Sequence, residues 1–490
     1  MDTKQQKLNL KREVGLMGAV SLLAGTMMGA GIFMSPQTVI SAIGSCGGSL
    51  VVWASCALQI IMVSLCFAEL GTVIPESGGE YIYVLRTSGP VVAFILAFSS
   101  IMFLRPFNNA ACALGFGQYA VALFHSDCHP SALEVKCAAA AAIIVLTYVN
   151  CLSVRASMSL QVVFLVGKVV ALMLIIMGGL VMLFRGHTGS FEDAFENTNV
   201  DISSISVALY QGLWAYTDWN ALNNVTEELK SPEGLWSYEG WNNLNCVTEE
   251  LKRPEVNLPR ALVIAISLVT ATYLLVNVSY LAVMTPKEMM TSSAVAVTWG
   301  NKVLGSWGWI MSVAAALSAF GSLNGTFFSG GRVCFVAARE GHMPDILSMA
   351  HVHRLTPSPA LIFTTLISLV VLIPGDFQSI VNFFSFTAWI FYGITLSGLI
   401  YLKIKKPDLP RPYSVPIILP ILVLIVATFL VLAPIIDKPQ IEYLYVTLFI
   451  LSGAVVYVPF IHYKLCPGLL SKLTVFLQLF LEVAPVEKNQ

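Results

Sequence analysis

Charged residues are scarce in this chain of 490 residues: Asp, Glu, Lys and Arg together make up 11% of it. A soluble domain of average composition carries about 25% charged residues. Because so few charges cannot cover the surface of so long a chain, the composition excludes a soluble enzyme. The formal net charge of −1 also excludes a nucleic-acid-binding protein that depends on a large basic surface. The hydrophobic share of 56% indicates a membrane protein.

Several motif classes are also absent. Strand-like segments of alternating polarity, typical of an outer-membrane barrel, do not occur, which leaves a helical bundle as the spanning structure. No carbonyl or carboxylate filter motif supports an ion channel. No nucleophile–base or metal-ligand cluster stands out, so the sequence predicts no enzyme, no metal and no cofactor.

Apolar runs long enough to cross a bilayer recur twelve times. A spanning helix needs roughly 20 mainly apolar residues. The predicted spans are 15–43, 48–72, 89–120, 135–154, 157–184, 203–229, 259–284, 307–337, 358–374, 379–402, 414–434 and 442–463. Most of the 27 basic residues fall on the side of the N-terminus, among them Lys11 and Arg12 before the first span and Lys405 and Lys406 after the tenth. The positive-inside rule then predicts that both termini are cytoplasmic.

Glycine interrupts the first span, which reads SLLAGTMMGAGIFMSP and contains Gly25, Gly29 and Gly31. One interpretation is close helix packing through small residues. The other is a discontinuous helix whose exposed backbone N–H groups hold an anion at mid-membrane. Taken alone, this span leaves both interpretations open.

The sixth span contains a second interruption, with Gly212 and an aromatic cluster at its centre. Broken helices in corresponding positions are typical of a transporter with inverted repeats, here spans 1–5 against spans 6–10. One break offers N–H groups to a carboxylate, and the other offers carbonyl oxygens to an ammonium. Together they predict a binding site for an α-amino acid.

Two basic residues lie inside predicted spans, where a charge is unfavourable and usually functional. Lys168 lies about midway along the fifth span. Its ammonium is predicted either to pair with a buried carbonyl or carboxylate, or to supply the charge that a bound cation supplies in sodium-coupled transporters. Arg105, in the third span, is predicted either to line a water-filled cavity or to extend toward the membrane surface.

Motifs along nearly the whole chain resemble those of one transporter family. They include GTMMGAGIFMSP, LCFAELGTVIPESGGEY, GLWAY, VTEEL, NGTFFSGGR and AREGHM. On these motifs the chain resembles the light subunits of the heteromeric amino acid transporters, in the L-type family of the APC superfamily, and its b(0,+)-type members most of all. The resemblance implies an all-α membrane protein with twelve transmembrane helices and a 5+5 inverted repeat with broken helices 1 and 6, the LeuT-like (APC) fold.

The expected organisation follows from these spans. It comprises a cytoplasmic N-terminus at 1–14, a first repeat at 15–184, a second repeat at 203–402, two further spans at 414–463, and a cytoplasmic amphipathic helix and tail at 464–490.

The resemblance also implies an activity and a partner. The activity is sodium-independent exchange of amino acids across the plasma membrane, apical in epithelia. The partner is a type II single-span glycoprotein, the heavy subunit, joined by a disulfide to Cys128. The residues themselves show Cys128 in an expected outer loop, HSDCHP, with only Cys137 close by. A cysteine left unpaired in an oxidising compartment is a candidate for an intermolecular bridge.

The family's functional positions transfer residue by residue. Its carboxylate-binding turn falls on Met27, Met28, Gly29, Ala30 and Gly31. Ala30 replaces the family's usual serine, which removes one hydroxyl donor but keeps the backbone donors. The family's sodium-replacing lysine falls on Lys168. Its substrate-binding positions in the sixth span fall on Trp214, Ala215, Thr217 and Asp218.

Residues 212–233 and 234–255 are adjacent copies of a 22-residue element, identical at 16 positions. The family has the element once. Two copies are too few for a solenoid, which leaves a recent duplication or two alternative exons joined in one transcript or gene model. The segment before copy two carries charges that would each cost roughly 2–3 kcal/mol at mid-membrane. Copy one is therefore expected in the membrane, and copy two as a cytoplasmic insertion.

The duplication also affects the expected substrates. In b(0,+)-type members an aspartate at this turn neutralises a cationic side chain, whereas Thr217 occupies that position here and Asp218 follows it. Copy two carries Glu239 instead. Because one residue turns a helix by about 100°, Asp218 is predicted to contribute little. The chain is expected to carry neutral amino acids, and arginine more weakly; the alternative is a scaffold or aberrant product whose disrupted sixth span has ended transport.

Overall fold

The computed structural model describes residues 26–74, 79–124, 130–217, 254–437, 441–459, 463 and 467–485. Within them, the helices are α1 Gly31–Ile43, α2 Cys46–Val73, α3 Gly79–Ser88, α4 Pro90–Ser99, α5 Arg105–Ala122, α6 Ala132–Leu152, α7 Val154–Phe184, α8 Ile202–Trp214, α9 Pro254–Val283, α10 Pro286–Thr291, α11 Val295–Leu304, α12 Trp309–Arg339, α13 Ser358–Leu372, α14 Phe377–Lys405, α15 Ile418–Asp437, α16 Ile441–Tyr457 and α17 Pro467–Phe480. A π-helical turn, Ser100–Leu104, joins α4 to α5.

Among the described residues, eight helices are long and apolar enough to cross a membrane. They are Cys46–Val73, Pro90–Ala122, Ala132–Leu152, Val154–Phe184, Ile266–Val283, Trp309–Arg339, Phe377–Lys405 and Ile418–Ile436. The shorter helices α1, α8, α13 and α16 fall in the predicted first, sixth, ninth and twelfth spans. Each of the twelve predicted spans therefore contains a helix.

The first span is interrupted where the glycines predict. Thr26 and Met27 are helical, residues 28–30 are not, and α1 begins at Gly31. The N–H of Gly29 turns back to the carbonyl oxygen of Met27 at 2.8 Å. A Cβ on Gly29 would lie 2.1 Å from Oγ of Ser322 in α12. The two predicted interpretations, a break and a close packing contact, therefore both describe this segment.

The sixth span is interrupted later than Gly212. Helix α8 continues through Gly212 to Trp214, and residues 215–217 form a turn. The break therefore lies in the aromatic cluster that follows Gly212. Gly212 serves packing instead, because a Cβ there would lie 2.7 Å from Sγ of Cys56 in α2. Most of both copies of the duplicated element, from residue 218 onward, lies outside the described residues.

A buried ion-pair cluster, Glu69 with Lys403 and Arg411, joins α2 to the segment after α14. Glu69 is 0% exposed. Its Oε1 lies 2.6 Å from Nζ of Lys403 and 3.5 Å from Nε of Arg411, and its Oε2 accepts the N–H of Val415 at 2.8 Å. The carboxylate thus forms ion pairs with two cations and accepts one backbone hydrogen bond.

A short antiparallel pair of strands, β1 (Met349–His351) and β2 (Val483–Pro485), ties the segment after α17 to the segment after α12. Ala350 pairs with Ala484 at its centre. One further bond, from the N–H of Val352 to the carbonyl oxygen of Glu482 at 3.0 Å, extends the contact.

Candidate functional site

The two interrupted helices meet at residues predicted to bind substrate. A Cβ on Gly31 would lie 2.5 Å from the Cα of Ala215, so a glycine is required for this approach. The hydroxyl of Tyr273, in α9, is shared between the carbonyl oxygens of Met27 and of Ala215, the latter at 3.0 Å. One fully buried side chain therefore links both breaks.

Serines of α12 hold the first turn from behind. Ser318 Oγ donates to the carbonyl oxygen of Met28 at 3.3 Å, and Ser322 Oγ to that of Thr26 at 3.5 Å. These bonds use carbonyl oxygens of the turn. The first N–H groups of a helix have no intrahelical acceptor, so the start of α1 can donate to an anion, as the sequence predicts.

Ala30, where the family usually has serine, is packed tightly. A Cβ on Gly115 would lie 3.1 Å from the Cβ of Ala30 and 3.8 Å from that of Ala319. The methyl group of Ala30 thus lies against α5. The backbone of the turn is left as the donor group for a carboxylate.

Lys168 is buried in α7, with 1% of its surface exposed. Its Nζ would lie 3.4 Å from a Cβ on Gly321, the residue before Ser322 in α12. The ammonium therefore lies beside the helix that supports the first turn, close to the position that the sequence predicts.

An amide network fixes the Lys168 helix against α12. Asn324 donates to Oε1 of Gln161 at 2.9 Å, and Ser157 donates to Oδ1 of Asn324 at 3.0 Å. Asn150 of α6 donates to the same oxygen at 3.0 Å. All four side chains are buried, and Gln161 lies two helical turns before Lys168.

Trp214 closes the end of α8. Its Nε1 donates to Oδ1 of Asn108 at 3.0 Å, and its indole meets the edge of Phe377 with ring centroids 5.2 Å apart. Thr217 donates to the carbonyl oxygen of Trp214 at 2.6 Å, which stabilises the turn that follows the helix. Trp214 and Thr217 therefore lie together at the second interruption.

A cavity adjoins this turn, lined by Glu80, Ser100, Leu104, Arg105, Asn108, Thr217, Phe384, Ala388, Phe391 and Tyr392. Arg105 is one of these residues, which supports the cavity interpretation for that basic residue. Glu80 was missed by the sequence reasoning, because it lies between spans 2 and 3 and nothing in its local pattern links it to the site.

Helix α3 positions Glu80. Thr395 of α14 donates to Oε1 of Glu80 at 3.0 Å. The neighbouring Tyr81 hydroxyl lies 2.7 Å from Nδ1 of His342, in the segment after α12. Burial lowers the pKa of His342 below its ordinary value, which favours the neutral ring. Contacts with α14 and the segment after α12 thus hold the carboxylate at the cavity.

Three of the predicted site residues lie outside the described residues: Asp218, its alternative Glu239, and Cys128. Cys137, near Cys128 in sequence, is an exposed free cysteine.

The amino acid permease family model matches residues 14–234 and 231–460. The two matches meet at the junction of the duplicated element, so that each includes one copy. The chain is 44% identical to the b(0,+)-type amino acid transporter 1 of Mus musculus over 489 residues, covering 99% of this chain and 96% of that protein. The protein of the same name from Homo sapiens is also 44% identical, over 98% of this chain and 95% of its own length.

A second kind of relative is more distant. The large neutral amino acids transporter small subunit 2 of Mus musculus is 40% identical over 433 residues, covering 88% of this chain and 77% of that protein. Among these relatives all the names describe transporters, and none describes an enzyme.

Proposed function

Because the chain belongs to the amino acid permease family, we propose that it is a sodium-independent amino acid exchanger of the plasma membrane. One observation carries the proposal: the two interrupted helices meet at Gly31 and Ala215, and Tyr273 bonds to both breaks. Backbone donors at one break suit the α-carboxylate, and carbonyl oxygens at the other suit the α-ammonium.

Sodium independence rests on Lys168. In this proposal the positive charge of the side chain, beside the first break, replaces one that a coupling cation would otherwise bring. The proximity of its Nζ to Gly321, next to the serine that holds the turn, supports this role.

The substrates proposed are neutral amino acids and cystine, with arginine carried more weakly. Thr217 lines the cavity where b(0,+)-type members of the family have an aspartate. A hydroxyl offers a cationic side chain a dipole in place of a full negative charge, which reduces the attraction for arginine.

The partner proposed is a type II single-span glycoprotein, bound through a disulfide from Cys128, with both termini of the chain in the cytoplasm. On a non-reducing gel of membranes that contain both proteins, Cys128→Ser should abolish the linked band. Cys137→Ser, which alters the exposed neighbouring cysteine, should leave it intact. A linked band that survives Cys128→Ser refutes the assignment.

Exchange itself is tested in proteoliposomes loaded with unlabelled leucine, with and without the heavy subunit. Labelled leucine should enter loaded vesicles and not empty ones, in sodium or in choline. Entry into empty vesicles at the same rate would contradict obligatory exchange.

The second candidate function is a scaffold or trafficking subunit without transport. The observation that favours it is the duplicated element, which begins within α8 at Gly212. In that case the chain should form the linked complex and reach the cell surface, but loaded vesicles should show no uptake above background.

A further inference from the structure

We propose that Gln211 closes one side of the substrate path by bridging α1, α8 and α14. This inference rests on the proposed transport function. We name the bridge formed by Thr38, Gln211 and Asn382 the amide latch.

Both ends of the Gln211 amide are engaged, and the side chain is 0% exposed. Its Oε1 accepts from the hydroxyl of Thr38 in α1 at 3.3 Å, and that hydroxyl is shared with the carbonyl oxygen of Ser35 at 2.9 Å. Its Nε2 donates to Oδ1 of Asn382 at 2.9 Å and to the carbonyl oxygen of Gln378 at 3.3 Å, both in α14. A single side chain thus holds the two interrupted helices to a third helix.

The amide latch lies on one side of the two breaks. Thr38 is about two helical turns beyond Gly31, and Gln211 is about one turn before Trp214. In the proposed topology this is the outer half of the molecule. Ser385, one turn beyond Asn382, adds a bond to the carbonyl oxygen of Tyr210 at 3.2 Å.

The other side of the breaks differs. There the turn after Trp214 borders the cavity that contains Thr217 and Arg105. Among the described residues, the bonds of Gln211 therefore join the outer halves of the two interrupted helices to α14, while a cavity adjoins the turn at Thr217.

The chemistry of the latch suits a contact that breaks and forms again in each cycle. All three side chains are neutral. Separating them leaves amides and a hydroxyl that water can solvate, whereas separating a buried ion pair leaves uncompensated charges. Neutral hydrogen bonds contribute modestly to the stability of the closed state, so this state is favoured but can still open.

The test uses three variants in oriented proteoliposomes. Gln211→Leu removes all three bonds of the Gln211 amide at similar volume, Thr38→Val removes one hydroxyl at similar shape, and Thr38→Ser keeps the hydroxyl as the matched control. Losing the latch raises the outward-open fraction, so the first two variants should lower the outer KM for leucine by about three- to tenfold and raise the inner KM. Thr38→Ser should change neither constant.

A second readout does not depend on transport. Ser385→Cys provides a thiol one turn from the latch, and a membrane-impermeant maleimide is added from the outside. Labelling is measured as the excess over the same chain that retains Ser385. It should be faster in the chain that carries Gln211→Leu than in the chain that retains Gln211. The same comparison with Thr38→Ser should show no increase.

The outcomes separate the two proposals. Unchanged constants on both faces, together with unchanged labelling in Gln211→Leu and Thr38→Val, overturn the latch. Equal changes in KM on both faces also overturn it, because they indicate a merely structural role. If even the unaltered chain fails to exchange leucine, the proposed function fails, and the labelling rates still decide the latch.

Discussion

Gly31 lies so close to Ala215 that a Cβ on it would be 2.5 Å from the Ala215 Cα, within the backbone of the other interrupted helix. Gly31→Ala must therefore push the two breaks apart. Overpacking a tight site costs about 1–3 kcal/mol, which corresponds to a loss of leucine exchange of about tenfold or more. Gly167→Ala is the control, because a Cβ there meets no atom within 4 Å in the part of the chain that the structure describes. Equal exchange by both variants would show that the contact is dispensable.

Tyr273→Phe removes the hydroxyl that both breaks share. Two buried carbonyl oxygens then lose a donor, which costs about 1–3 kcal/mol and should lower both the melting temperature and leucine uptake. Tyr280→Phe, two turns further along α9, removes a buried hydroxyl that has no hydrogen-bond partner among the described residues. That control should behave like the unaltered chain, and a similar loss in both variants would contradict the bridging role of Tyr273.

Lys168→Ala should abolish or severely slow exchange while the protein still reaches the membrane, because the charge beside the first break is lost. In the unaltered chain, replacing sodium by choline should leave uptake unchanged. Surface biotinylation gives the amount of protein and labelled leucine gives the rate. A large loss of uptake in choline would refute the role assigned to the lysine.

Glu69→Gln should destabilise the fold strongly. The buried carboxylate faces Lys403 and Arg411, and removing its charge leaves two cations without compensation, at about 3–5 kcal/mol. The exposed pair of Glu288 with Lys302, with nitrogen and oxygen 2.8 Å apart, is the matched control. Glu288→Gln should change the free energy of unfolding by about 0–1 kcal/mol. Thermal denaturation in detergent gives the melting temperatures of the two variants. Equal shifts in melting temperature would contradict a special role for the burial of Glu69.

Deleting one copy of the duplicated element tests which copy serves the substrate site. Without residues 234–255 the uptake profile should be preserved. Without residues 212–233, Glu239 takes the place of Thr217 and should favour cationic substrates, since a carboxylate attracts the guanidinium. The measurement is the ratio of arginine to leucine uptake. Identical ratios in both deletions would show that this acid does not set selectivity.

The interruption of the first helix could be predicted because the glycines that permit it are a local feature of the sequence. At Gly212 the small residue permits contact with Cys56, and the helix ends shortly afterwards at Trp214. Glycine signals either an unwound backbone or a close approach. Sequence alone does not state which, because the difference depends on the neighbouring helix.

Other parts of the site depend on partners that are distant in sequence. Tyr273 reads as an ordinary aromatic residue of the seventh span, and its role emerges only when α9 packs beside Met27 and Ala215. Glu80 becomes part of the cavity through α14, which supplies Thr395. Lys168 differs, because a charge within an apolar span is itself unusual and therefore visible.

The pairing of β1 with β2 has a consequence for synthesis and for tagging. Residues 349–351 leave the ribosome long before residues 483–485. The backbone groups of residues 349–351 therefore lack this strand partner until synthesis of the chain is nearly complete. A truncation before Val483 would leave that edge unpaired permanently, available to other strands. A reporter protein fused directly after Pro485 would crowd the same edge, so fluorescent labels belong at the other end of the polypeptide.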